Sequence, residues 1–329
     1  MRKIWNIKDP NPLVRDDISG ALNVSKITAQ LLANRGIATA DEASRFLNSS
    51  LSSCHDPFLL KDMDRAVSRI RKAIDAKEHI LVYGDYDVDG ITAVALVWSA
   101  LKKLGANASF YIPNRLEEGY GLNIGAIKRA HNDAINLIIT VDCGISLFKE
   151  IAHAKMLGID TIVTDHHEIM EGRIPDAHAT INPLQEGCRY PFKHLAGVGL
   201  AYKLVKALYD GTKHFAEDFL DLVSLGTVAD VAPLIGENRT LTKYGLEELN
   251  RRERTGLGAL IEVSGLNGKD VSSGHIGYIL GPRINAMGRV GSPLKALELL
   301  LTEDKAHALR LAKTLDTENK SRQKIEAKI

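Results

Sequence analysis

Four short apolar runs punctuate the first half of the chain: Ile80 to Tyr83, Ala108 to Ile112, Ile135 to Val141 and Thr161 to Thr164. Between them lie ITAVALVWSALKKLG, IGAIKRAHN and LFKEIAHAKMLG, whose apolar residues recur at helical spacing. Short β-rich runs separated by helices are the pattern of a parallel sheet in an α/β fold. The run NLIITV shows no apolar–polar alternation, as strands covered on both faces require. The expected core is therefore a parallel sheet of about five strands flanked by helices.

The flanks read as helical. In SKITAQLLANRG, Ile27, Leu31 and Leu32 share a face and Gly36 supplies a stop. Thr39 and Glu42 fit a capping box ahead of DEASRFL. KDMDRAVSRIRKAIDAK is a basic amphipathic helix placed to cover one face of the sheet. From Gly197 to about Ala232 the sequence turns helical again, and the glycine, proline and asparagine of GPRINAMGRVG predict a shaped loop. ALELLLTEDKAHALRLAKTLDTENKSRQKIEAKI reads as one charged helix running to the last residue, as in a truncated chain. The expected divisions are a helical lead-in over 1–53, the α/β domain over 54–235, a helical extension carrying the loop over 236–300, and a connecting helix from 301.

Composition narrows the function classes. Hydrophobic residues make up 45% of the 329 positions and charged residues 25%, which excludes a disordered chain. With 42 Lys and Arg against 41 Asp and Glu, any nucleic-acid partner must be met by a local basic patch. Cys54, Cys143 and Cys188 lack the C-x-x-C spacing of a zinc ribbon or a disulfide framework. Neither a signal peptide nor a run near the ~20 apolar residues of a membrane span is present, so a reduced, cytoplasmic protein with no membrane partner is expected.

The chemistry gathers where apolar runs end. The first is followed by Asp85, Asp87 and Asp89, the third by Asp142, and the fourth by Asp165, His166 and His167. In an open parallel sheet, ligands bind at the carboxyl ends of strands, so these residues converge on one edge. Crowded carboxylates repel unless a cation neutralises them, and oxygen mixed with imidazole suits an ion such as Mn²⁺. Asp230, after FLDLVSLGTVA, is a candidate fourth contribution. Taken singly, D-x-D before glycine is a turn and His-His is packing; three strand-terminal coincidences are harder to explain that way.

Other motifs are excluded or left open. GDYDVDG begins like a calcium loop, but Leu96 stands where a bidentate Glu is required, and a strand precedes it. There is no P-loop, and GYGLNIG has the wrong spacing for a dinucleotide site. Gly197-Val198-Gly199 precedes a helix, either offering amides to a phosphate or allowing close packing.

In order along the chain, VYGDYDVDGITA, TVDCGIS, VTDHHE and DLVSLGTVADVAPL resemble the DHH phosphoesterase superfamily and, within it, the bacterial RecJ-type single-strand exonucleases. LLANRGI, DPFLLKDMDRAV, IPNRLEEGYGL, LAGVGLAYKL and GPRINAMGR extend the likeness over nearly the whole chain. The resemblance implies a site for two Mn²⁺ or Mg²⁺ ions. Asp87 and Asp89 match its paired carboxylates, with Asp85 beside them; Asp142 matches the acid expected to bridge the ions, and His166 and Asp230 match further ligands. His167 matches a second histidine at the metals or next to the scissile phosphate, a catalytic role shared with Asp142. Tyr83 stands where many relatives carry a metal-binding histidine, which implies a weaker or different hold on one ion. Arg115, Arg283 and Arg289 are implied to grip strand phosphates.

The implied activity is 5′-to-3′ hydrolysis of single-stranded DNA in repair and recombination. It implies a monomer, with a single-strand-binding protein and a helicase as cellular partners. A hydrolase of short oligonucleotides or cyclic dinucleotides is the alternative within the enzyme class. A non-catalytic replication scaffold is the alternative outside it, against which stands the retention of every motif acid. RecJ-like proteins continue into DHHA1 and OB-fold domains, and the GGH-type signature is absent here. The expectation is retained metal binding with weak or poorly processive nuclease activity.

Overall fold

Among the described residues the sheet pairings are all parallel, with β1 (His79–Gly84), β2 (Asn107–Tyr111), β3 (Ile135–Val141), β4 (Asp160–Thr164) and β5 (Ala179–Ile181) ordered β2-β1-β3-β4-β5. The computed structural model describes residues 11–114, 121–209 and 217–327, without the side chains at 171, 289 and 290. The order reverses at β1 and β3, because the chain leaves β1 for β2 on one side and returns to β3 on the other. A crevice opens at such a switch point, outside the carboxyl ends of the strands.

The chain divides into Met1–Cys54 and His55–Ile329. The first unit contains α1 (Pro12–Leu22), α2 (Lys26–Asn34) and α3 (Ala40–Leu47), packed around Ile18, Ala29, Leu32 and Ala43. Thr39 and Glu42 form the expected capping box, with Glu42 N donating to Thr39 Oγ1 at 3.2 Å. Ile27 and Leu31, expected on a packed face, are exposed, while Leu32 is buried.

The second unit contains α4 (Met63–Asp75), α5 (Val88–Lys103), α6 (Ile124–Asn132), α7 (Phe148–Met156), α8 (Gly197–Leu208) and α9 (Leu220–Ala229). Leu81, Tyr83, Ile135 and Ile138 pack with Ala126, Ile127, Ala130 and Ala154, so one sheet face is covered by α6 and α7. Ile80 and Val82 alternate to the opposite face and are fully buried. Helix α5 packs on β1, β2, α8 and α9, which explains why it is apolar nearly all round.

Two expectations about the C-terminal third fail. GPRINAMGR is helical: α12 (Gly281–Val290) follows a π-helical turn over Ile276–Leu280, after α10 (Gly236–Arg251) and α11 (Thr255–Val263). Pro282 lies where the chain passes from the π-helical turn into α12, and Gly288 is small because the Tyr86 carbonyl lies against it. The single terminal helix is two, α13 (Pro293–Leu301) and α14 (Lys305–Glu326). Asp304 interrupts them by capping α14, accepting from Ala306 N at 2.8 Å and His307 N at 3.1 Å. Among the described residues, no helix is long and apolar enough to cross a membrane.

Candidate metal centre

Strand register assembles the site. Gly84 pairs with Val141, and Val141 with Thr164, so Asp85, Asp142 and Asp165 form the next row beyond the sheet. Adjacent strands lie about 4.8 Å apart, which places three acids on one edge from separations of 57 and 23 residues. Asp142 leaves the strand in the left-handed region at φ 58°, and its amide donates to Thr164 O at 3.0 Å. A non-glycine residue there carries a backbone cost, smaller for aspartate than for most residues.

Two helix ends complete the cluster. Asp87 caps α5, its Oδ1 accepting from Gly90 N at 3.0 Å, and Asp89 lies in the first turn of the same helix. Both oxygens of Asp89 are bound by the N-terminus of α8, from Gly197 N at 2.7 Å and Val198 N at 2.8 Å. The Gly197-Val198 amides, left open from sequence as a phosphate cradle, therefore hold this chain's own carboxylate. A Cβ on Gly197 would lie 2.6 Å from Asp142 Oδ1, so glycine here lets the helix approach both acids. Asp230 arrives from the C-terminal end of α9.

The histidines separate in role. His166 Nε2 lies 3.1 Å from Asp142 Oδ1 and 3.8 Å from Asp89 Oδ2. His167 is half-exposed, and its Nδ1 lies 2.7 Å from Asp165 Oδ1. Asp165 is buried and also accepts from Ile145 N at 2.8 Å and His167 N at 3.0 Å. It is thus committed to orienting His167, a role the sequence alone did not assign although Asp165 stood in the same run.

Three overlapping triads each present one ligand atom per residue within 4.8 Å of the others: Asp85, Asp87 and Asp142; Asp89, His166 and Asp230; and Asp142, His166 and His167. Asp142 and His166 are shared between triads, an arrangement with room for more than one ion. Burial, reinforced by the charges of Asp230 and Asp87, pushes Asp89 well above the usual carboxylate range. Burial and the charges of Asp89, Asp87, Asp165 and Asp85 do the same to Asp142. Asp230 is raised to about 6, by burial first and then Asp87. Burial opposes ionisation of Asp165 most strongly, but the bond to His167, the charge of that ring and the amides of Ile145 and His167 together outweigh it and leave Asp165 below the usual range. Burial, followed by the neighbouring His167, keeps His166 low and neutral, as a metal-binding imidazole must be. A cation fits this donor set because it relieves the mutual repulsion of the acids.

Tyr83 and Arg283 have partners of their own. Tyr83 is buried under α6 and α7, donating its hydroxyl to Gly121 O at 2.8 Å and stacking on Tyr111. Arg283 is engaged by Asp316 on α14, at 3.1 Å from Nε and 2.9 Å from Nη2, and by Ile279 O at 2.7 Å. Arg115 lies outside the described residues, as does the side chain of Arg289.

The profile of the DHH family, N-terminal domain, matches residues 79–227, which include all of the cluster except Asp230. A solved exonuclease RecJ bound to manganese is 37% identical to this chain, superposes with a TM-score of 0.75, and is matched over 82% of this chain and 68% of its own. This chain belongs to the RecJ family. Thermus thermophilus RecJ, solved in complex with Mn²⁺, superposes with a TM-score of 0.83 at 32% identity, covering 97% of this chain and 45% of that one. The single-stranded-DNA-specific exonuclease RecJ of Bacillus subtilis is 42% identical over 99% of this chain and 41% of the relative. The chain spans about half the length of the curated RecJ relatives it matches, or less.

Proposed function

We propose that this chain is the metal-binding core of a 5′-to-3′ exonuclease that hydrolyses phosphodiester bonds of single-stranded DNA in repair and recombination. The observation that carries the reading is the row Asp85, Asp142 and Asp165 beyond three adjacent parallel strands, with Asp87, Asp89, His166, His167 and Asp230 gathered around it. Asp85, Asp87, Asp89, Asp142, His166 and Asp230 are the residues that would hold two Mn²⁺ or Mg²⁺ ions. Ions bound there supply Lewis acidity toward water and toward phosphoryl oxygens.

The chain's own groups supply position and proton control. Asp89 is aimed by two backbone amides, and Asp142 by a left-handed backbone and the small surface of Gly197. Asp165 fixes the His167 ring through Nδ1 and raises its pKa, so that a protonated ring presents Nε2 to a phosphate oxygen carrying developing charge. Arg115 and Arg289 are assigned to strand phosphates, and Arg283 joins them on release from Asp316. Restriction to single strands, 5′ polarity, a monomeric state, a cytoplasmic setting, and a single-strand-binding protein and a helicase as partners follow from the RecJ resemblance.

The test compares hydrolysis of a long single strand, a duplex of the same sequence and a dinucleotide, each with Mn²⁺. Preference for the single strand supports the proposal. Faster cleavage of the dinucleotide would move the assignment to a hydrolase of short oligonucleotides.

A further inference from the structure

The loop that presents Asp85, Asp87 and Asp89 is held from outside the cluster by a helix almost 200 residues away in sequence. The N–H groups of a helix's first turn find no partner within the helix. In α5, Gly90 N is satisfied by Asp87 Oδ1, whereas Val88 N donates to Oδ1 of Asn285 on α12 at 3.1 Å. Val88 is flanked by Asp87 and Asp89, so this bond fixes the backbone between the two carboxylates.

A second contact lies one turn along the same helix. Gly288 meets the backbone of Tyr86 so closely that a Cβ would lie 2.4 Å from the Tyr86 carbonyl oxygen. Asn285 and Gly288 thus meet the loop at Val88 and Tyr86, on either side of Asp87. On a different side, α12 is tied to α14 through Arg283 and Asp316. The helix that carries Asn285 is therefore itself anchored.

We propose that Asn285 is a positioning residue for the metal-binding loop, its amide oxygen holding Val88 N–H and with it the spacing of Asp87 and Asp89. The proposal rests on the reading of those aspartates as metal ligands. An amide suits the place because its oxygen accepts a hydrogen bond without adding charge to a crowd of carboxylates. Partners that orient metal ligands typically change affinity about 10–100-fold when removed.

The experiment uses the full chain with Asn285→Leu, which keeps size and loses the acceptor, and Asn285→Asp, which keeps the acceptor. Backbone amide exchange of residues 86–90 is measured without metal, and Mn²⁺ binding is measured by calorimetry. Asn285→Leu is expected to speed exchange about tenfold and weaken Mn²⁺ binding at least about tenfold, with the far-ultraviolet circular dichroism unchanged. Asn285→Asp is expected to keep the slow exchange. Unchanged exchange or unchanged Mn²⁺ affinity in Asn285→Leu would overturn the proposal, and so would equal acceleration in both variants. If Asn285→Leu does not fold, Asn285→Ala carries the comparison, and loss of the fold in both would overturn a positioning role. A parent chain that binds no Mn²⁺ would overturn the metal reading and the proposal with it. That failure is distinguishable, because the exchange difference between variants would persist.

Discussion

Asp142 combines a left-handed backbone, burial, and a carboxylate 3.1 Å from His166 Nε2. Its neighbours Asp89, Asp87, Asp165 and Asp85 disfavour its charge. Such a residue is costly unless a cation sits against it. His167 behaves in the opposite sense, because its bond to Asp165 raises its pKa. Asp165→Asn should therefore lower the His167 pKa, moving the alkaline limb of the pH–rate profile to lower pH. A proton NMR titration of the His167 ring checks this directly; an unmoved midpoint would show that Asp165 does not control the ring. At this scale the sequence is informative, because Asp85, Asp142 and Asp165 each follow an apolar run. Asp165 was visible without a role, and Asn285 was passed over because its partner is a backbone amide that no side-chain pattern announces.

At the scale of elements, glycines set how closely the helices approach. Gly197→Ala would drive a methyl into Asp142, with Oδ1, Cβ and Cγ all within 2.8 Å of the new atom. The expected cost is about 1–3 kcal/mol of stability, measured by denaturant unfolding, together with weaker Mn²⁺ binding. Loss of stability with unchanged Mn²⁺ affinity would separate packing from ligand placement. The strands were legible because buried parallel strands leave runs without alternation, and β3 falls where the run Ile135 to Val141 lies. The expected count of about five strands holds, but the fifth, Ala179–Ile181, is too short for its position to show in the pattern. GPRINAMGR misled because glycine and proline speak for loops locally, whereas here they serve helix entry and contact with the Tyr86 backbone. The break between α13 and α14 rests on one capping aspartate inside an otherwise continuous charged pattern.

Over the whole molecule, the metal-free protein carries acids that fold more readily when protonated. For Asp89, Asp142 and Asp230 the folded state binds protons more tightly than the unfolded chain, so stability falls as pH rises above the unfolded value. For Asp230 that window runs from 3.8 to about 6. His167 adds to the trend, since its contribution is complete below 6.5 and is lost as pH rises through its higher folded value. Asp165 opposes it only in acid, its contribution being lost as pH falls below 3.8. Thermal unfolding across this range should show the metal-free Asp230→Asn variant losing less stability with rising pH than the parent chain. Equal slopes would show that Asp230 does not contribute to this pH dependence. Mn²⁺ at about 100 times its dissociation constant should add about 2.7 kcal/mol at neutral pH. Because protons and metal compete for the same carboxylates, this gain should shrink toward pH 4, and a gain independent of pH would contradict a carboxylate site.

Under the proposed function, this carboxylate–histidine cluster would hydrolyse single-stranded DNA with divalent metal. The most direct measurement is digestion of a 5′-phosphorylated, 3′-labelled single strand with Mn²⁺, beside Asp142→Ala at the same concentration. The expected result is stepwise shortening of the labelled strand from its 5′ end, with a rate lower by about 100-fold or more in the variant. Equal digestion by the two chains, or none by a parent chain that binds Mn²⁺, would contradict it.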